Sequence, residues 1–172
     1  MTIGFVMAEG RGATDIILSQ LAARLAMQGV RLAGVVQTNT DRPQDHHCDM
    51  DVQVLPAGEV FRISQALGAG SRGCRLNPDA LERAVIGVEA VLDAQTDLLI
   101  INKFGKHEAE GRGFRETIAR ALELDVPVLM GVNGLNLAAF QEFAGDLPVQ
   151  IPATVADLER WVSESCKLAL AG

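Results

Sequence analysis

Short aliphatic strands alternate with amphipathic helices along the chain, and two strand–helix junctions carry the same pentapeptide. Ala8-Glu9-Gly10-Arg11-Gly12 follows the apolar run Ile3–Met7 directly. Ala109-Glu110-Gly111-Arg112-Gly113 follows Leu98–Ile101 by way of Asn102-Lys103-Phe104-Gly105-Lys106-His107-Glu108. Glycine permits a sharp turn that gathers backbone N–H groups, and the next helix adds partial positive charge at its first turn. A strand, a glycine turn and a helix N-terminus form a ready anion site, and arginine's planar fork suits oxyanions. A repeat of such common residue types also arises by chance; the strand–turn–helix context is the firmer signal.

The remaining elements follow the same alternation. Helical spacing of Ile17, Leu18, Leu21 and Leu25 predicts a helix over Thr14–Gln28, and Val30–Gln37 reads as a strand. Thr38 to Asp51 turns polar and reads as an exposed loop. Residues 51–64 read as an inserted hairpin, with strands around Pro56-Ala57-Gly58-Glu59. A Gly-rich segment from Gly68 to Gly73 leads to Asn77-Pro78-Asp79, a strong helix start for a helix reaching about Ala94. Leu98–Ile101 is a central strand, Phe114–Leu124 a helix and Pro127–Val132 a strand. Asn136–Ala144 is a helix, Pro148–Ile151 a strand, and Thr154 with Asp157 opens the last helix. The pattern predicts an α/β fold, mainly parallel, with helices on both faces of the sheet. Ligands of such sheets sit beyond the carboxyl ends of the strands, so both glycine turns are expected at one rim, facing one crevice.

The chain has 172 residues and no visible linker, so one domain over 1–172 is expected. Aromatics make up 4% of it and tyrosine is absent, which favours an aliphatic core over a ring-rich binding surface. The net charge of −7, without a basic block, excludes a nucleic-acid footprint but leaves room for a few arginines around a small anion. Cys48, Cys74 and Cys166 are widely spaced and odd in number, which suits a reducing compartment. No apolar run reaches membrane-spanning length and no signal-like stretch opens the chain, so a cytoplasmic protein without membrane insertion is expected.

The order of pieces from Ile3 to Val132 resembles a P-loop nucleoside-triphosphatase, in particular the family related to human cancer-related nucleoside-triphosphatase. That resemblance implies a three-layer P-loop-NTPase-like fold and nucleotide binding. In that family the stretch after the central strand reads like Asp-Glu-Ile-Gly-Lys-Met-Glu. Gly105, Lys106 and Glu108 match it, while Asn102 and Lys103 replace the two acids. A fuller resemblance is to a bacterial domain-of-unknown-function family encoded near molybdate-transport genes. Its segments here are Cys48-Asp49-Met50, Gly73-Cys74-Arg75-Leu76, and Asn102 to Glu108 with Gly111 to Arg115. It implies a link to molybdenum handling, with molybdate-transport components or a second copy of the chain as partners.

The departures bear on mechanism. A working phosphate loop needs Gly-x-x-x-x-Gly-Lys-Ser/Thr. Aligned without a gap, Thr14 stands for the lysine and Asp15 for the hydroxyl; with one deletion, Ala13 and Thr14 do. Asn102 stands where an acid would hold Mg²⁺, so the cofactor is left open, with a nucleotide or oxyanion as candidates and magnesium uncertain. Losing the lysine and both acids removes most of the parts of phosphoryl transfer. The expectation is a binder of nucleotide or oxyanion without efficient hydrolysis, using Glu9, Gly10, Arg11, Gly12, Ala13, Thr14, Asp15, Asn102, Lys103 and Arg112. Arg11 and Arg112 would grip one anion between them, with no catalytic residue assigned. One alternative is an active nucleoside-triphosphatase or phosphotransferase that uses Arg11 for lysine and Glu108 or Glu110 as acid. Another is a regulatory or partner-binding module without a ligand. His46, His47, Cys48 and Cys74 are weak metal candidates, because adjacent histidines bind one ion poorly together.

Overall fold

In the computed structural model, residues 1–41, 48–65 and 76–166 are described. Ile3–Val6 (β1) lies inside the sheet, parallel to Val128–Val132 (β6) on one side and Pro148–Ile151 (β7) on the other. Leu98–Phe104 (β5) pairs in parallel with β6 and with Leu32–Asp41 (β2). Cys48–Val54 (β3) runs antiparallel to β2, and Val60–Arg62 (β4) antiparallel to β3. The strand order is β4-β3-β2-β5-β6-β1-β7.

β1 and β6 are apolar throughout, and β2 and β5 are apolar over their first halves, because both faces are covered there, as in parallel sheets generally. Successive residues alternate between two cores. On one face, Ala13–Met27 (α1) and Val155–Cys166 (α6) pack over Val6, Leu32, Leu98, Ile100 and Leu129. On the other, Pro78–Glu89 (α2), Arg115–Glu123 (α4) and Leu137–Ala144 (α5) cover Phe5, Val35, Ile101 and Met130. The expected three layers are present. Asn77 caps α2, its side chain accepting the Ala80 N–H at 3.1 Å, with Pro78 in the first turn. Thr154 likewise accepts the Asp157 N–H at 3.1 Å at the start of α6.

Several boundaries differ from the sequence expectation. The supposed loop over 38–51 is largely strand: β2 continues to Asp41 and β3 begins at Cys48, with Gln37↔Val52 through Asp41↔Cys48 in register. The insertion is therefore a three-stranded antiparallel extension of β2, larger than a hairpin over 51–64. The helix α2 ends at Glu89, short of Ala94: the Val91 N–H turns to the Val88 carbonyl at 3.1 Å, and in the turn beyond the Asp93 side chain accepts the Gln95 N–H at 2.8 Å. A short helix at Lys106–Ala109 (α3), unanticipated, separates β5 from the second glycine turn. At the opposite rim, Arg31 forks onto Asp97 at 2.8 and 3.2 Å and holds that carboxyl below its usual range. No described helix is long and apolar enough to cross a membrane.

Candidate functional site

The β1–α1 turn has the backbone that its glycines imply. Gly10 (φ 97°) and Gly12 (φ 76°) are left-handed, a conformation that costs other residues energy. Gly12 is the N-cap of α1 and brings no capping side chain, so no side chain of the cap residue closes over the first-turn N–H groups. The Ala13 N–H turns back to the Gly10 carbonyl at 3.3 Å. Thr14 serves the turn itself, its hydroxyl accepting the Ala8 N–H at 3.1 Å.

Asp15, in the first turn of α1, is tied to the ends of β2 and β5. Its Oδ1 accepts from Asn102 Nδ2 at 2.8 Å and its Oδ2 from Asn39 Nδ2 at 2.5 Å. The Gln37 N–H donates to Asn102 Oδ1 at 3.0 Å, which fixes the amide so that its NH₂ faces Asp15. Gln37 Nε2 also steadies Asn39 Oδ1 at 2.8 Å. Asn102 is 3% exposed, so this arrangement is built into the sheet rim. A negative group thus already sits at the positive end of α1, satisfied by two amide donors.

This geometry does not fit the magnesium ion implied by the fold family. A hard cation needs oxygens turned toward it, whereas Asn102 presents its NH₂ and spends its carbonyl on Gln37. Among the described residues no group of three or more His, Cys, Asp or Glu could hold a metal. Of the weak candidates, His46, His47 and Cys74 lie outside the described residues. Cys48 is buried and accepts from Arg11 Nη2 at 3.3 Å. Burial pushes the Cys166 thiol up to about 12, with Asp97 adding to the effect, so it remains protonated and unreactive near neutral pH.

Arg11, Gly12, Asp15, Asn39, Asp41 and Cys48 line one cleft of about 520 Å³. Glu9 and Gly10 are exposed beside it. The second pentapeptide does not join them. Gly111 (φ 84°) and Gly113 (φ 60°) turn as expected, but Arg112 lines a separate cleft of about 530 Å³ with Glu82, Glu89 and Glu116. Arg112 is paired there with Glu110, which Lys106 also approaches at 3.5 Å. The Arg112 guanidinium, and then Lys106, hold the Glu110 carboxyl below its usual range. The two-arginine grip is therefore corrected: α3 carries the second turn away from the strand end. Lys103 lines a third cavity together with Lys106, and Gln37 and Asn102 line that cavity too.

Glu108, a candidate acid of the alternative reading, is 3% exposed and braces the backbone. Its Oε2 accepts the Gly105 N–H at 2.9 Å and its Oε1 the Phe114 N–H at 3.1 Å. Replacing Glu108 with alanine strands one buried and one part-buried donor and is expected to cost about 2–3 kcal/mol. Urea denaturation checks this, and a loss within experimental error would contradict the bracing role. Gln37 and Asn39 lie outside the expected site set, Gln37 at the end of the expected strand and Asn39 in the expected loop. The Gln37-x-Asn39-x-Asp41 alternation was the available signal.

A family model described as "Protein of unknown function (DUF2478)" matches residues 3–161. The chain is 32% identical over 147 residues to Molybdenum import ATP-binding protein ModC 2 of Bradyrhizobium diazoefficiens (strain USDA 110). That match takes in 86% of this chain but 16% of the relative, so the chain spans about a sixth of that protein's length. The crystal structure of THEP1 from the hyperthermophile Aquifex aeolicus superposes with a TM-score of 0.57 at 16% identity, covering 95% of this chain and 96% of that one. At that identity the likeness shows the fold, a three-layer P-loop-NTPase-like sheet.

Proposed function

The chain belongs to the DUF2478 family, and from that premise we propose that its β1–α1 turn holds an oxyanion or a nucleotide phosphate without cleaving it, in the service of molybdenum handling. The observation that carries this reading is the turn itself. Two left-handed glycines and an uncapped α1 N-terminus stand beside Arg11 on an open cleft. Backbone N–H groups and the helix dipole attract a tetrahedral anion there, and a guanidinium adds a charge-assisted bond.

Cleavage is disfavoured by what surrounds the turn. No lysine lies between Glu9 and Asp15, the strand-end residue Asn102 is uncharged, and the amide orientation does not admit magnesium. Phosphoryl transfer is mostly positioning and charge neutralisation, so these substitutions remove its usual means. The molybdenum role draws support from the name of the relative, of which this chain spans a small share. Partnership with molybdate-transport components and a cytoplasmic setting are parts of the same proposal. Molybdate is itself a tetrahedral oxyanion, of a kind the turn can receive.

Calorimetric titration of phosphate, molybdate, ATP and GTP into wild type and Arg11→Ala tests the reading. Removing one charge-assisted bond is expected to weaken the bound anion by about tenfold. Equal affinities would remove Arg11 from the site. Phosphate release from ATP with magnesium is expected at background level. Release that is magnesium-stimulated and lost in Arg11→Ala would establish the active nucleoside-triphosphatase instead.

A further inference from the structure

We propose that a second binding site, adjoining the β1–α1 cleft at Gln37 and Asn102 and floored on the opposite face of the sheet, takes a hydrophobic organic anion. A cavity of about 370 Å³ opens there between β3, α2 and the β5–α3 junction. Its floor is Val35, Val52, Leu81, Ile101 and Phe114, all buried. Leu135, 95% exposed, extends the apolar wall to the mouth. A cavity of this size, apolar below with a few polar groups converging above, is the usual form of a small-molecule site.

Charge at the rim decides the class of ligand. The charged groups lining the cavity are Lys103, Lys106 and Glu108, with His107 beside them. Glu108 turns each oxygen to a backbone N–H and its charge offsets one of the two lysines, which leaves the formal charge of the rim positive. Lys106 is shared with Glu110 at 3.5 Å, whereas Lys103 has no ion pair among the described residues. Lys103, without an ion pair among the described residues, therefore lines a cavity with an apolar floor, which favours an anionic head on an apolar body. The placement of Lys103 follows from the strand. The β5–β6 register shifts between Ile101 and Phe104; the Asn102 amide reaches Asp15 on the α1 side and also lines the cavity, as Gln37 does, while Lys103 lines this cavity alone.

The probe is 8-anilinonaphthalene-1-sulfonate, which joins fused rings to a single sulfonate, titrated into the intact protein by fluorescence with calorimetry for stoichiometry. One molecule per chain is expected to bind saturably. Lys103→Glu is expected to weaken it about tenfold, because an attraction at the surface becomes a repulsion. Leu135→Asp, also at an exposed position, is expected to weaken it as well. Arg11→Ala is expected to bind the dye as wild type does, which keeps this outcome separate from anion binding at the β1–α1 turn. Unsaturable fluorescence, or equal dye affinity in wild type, Lys103→Glu and Leu135→Asp, would overturn the site. Lost dye affinity in Arg11→Ala would overturn its independence.

Discussion

Gly34→Ala is expected to be the most damaging glycine-to-alanine change among the described residues. Gly34 lies in β2 at φ 110°, paired in parallel with Ile100 of β5. A Cβ built there would stand 1.8 Å from the Ile100 carbonyl oxygen and 2.8 Å from its nitrogen. Neither atom is the free end of a side chain, so relief requires β2 and β5 to separate. The Gly34 carbonyl also accepts the Leu55 N–H at 2.9 Å, linking the antiparallel extension to the parallel sheet. An impossible approach compounded by a left-handed backbone is expected to cost about 4 kcal/mol or more, a large share of an ordinary domain's ~5–15 kcal/mol. Thermal and urea unfolding would read this directly; a midpoint near wild type would mean that the β2–β5 pairing is not as described. The damage reaches the site, because this pairing brings Gln37 against Asn102.

Asp15→Asn is expected to act in the opposite sense, strengthening anion binding. The Asp15 carboxylate sits in the first turn of α1 and lines the cleft beside Arg11. It competes with an incoming anion for the helix dipole and repels it. At about 5 Å, one charge repels another by about 1–3 kcal/mol over the dielectric range of protein surfaces. Neutralising Asp15 is therefore expected to raise phosphate or molybdate affinity by about tenfold or more. The amide keeps the shape of the carboxylate and one acceptor for the buried Asn102, while the exposed Asn39 can turn its NH₂ to water, so the cost to the fold is small. Calorimetry at low and high salt separates the effects, since a charge effect shrinks as salt rises. Unchanged affinity at low salt would show that the anion lies away from Asp15.

Much of the architecture was legible because burial writes itself into sequence. Leu98–Ile101 and Val128–Val132 are apolar at every position except Gly131, and the Asn77-Pro78-Asp79 start declares α2. The extension of β2 through Thr38–Asp41 was not legible for a physical reason. Those residues are exposed, and the strand is held by backbone pairing to β3 without an apolar face to betray it. The glycine turn before α1 was legible, but its occupant was not. Asp15 meets Asn39 and Asn102 across 24 and 87 residues, and only the folded sheet rim brings them together. The second turn misled because Gly105 and Glu108 build a short helix ahead of it. The reach of the Glu108 side chain back to the Gly105 N–H is a local pattern that spacing could have revealed.

Backbone amide NMR during a phosphate titration tests the anion-holding turn most directly. Shifts are expected to concentrate at Gly10, Arg11, Gly12, Ala13, Thr14 and Asp15, to saturate, and to grow in Asp15→Asn, while Gly111, Arg112 and Gly113 stay unmoved. Saturating shifts at the second turn with none between Gly10 and Asp15, or no saturable shift at all, would contradict it.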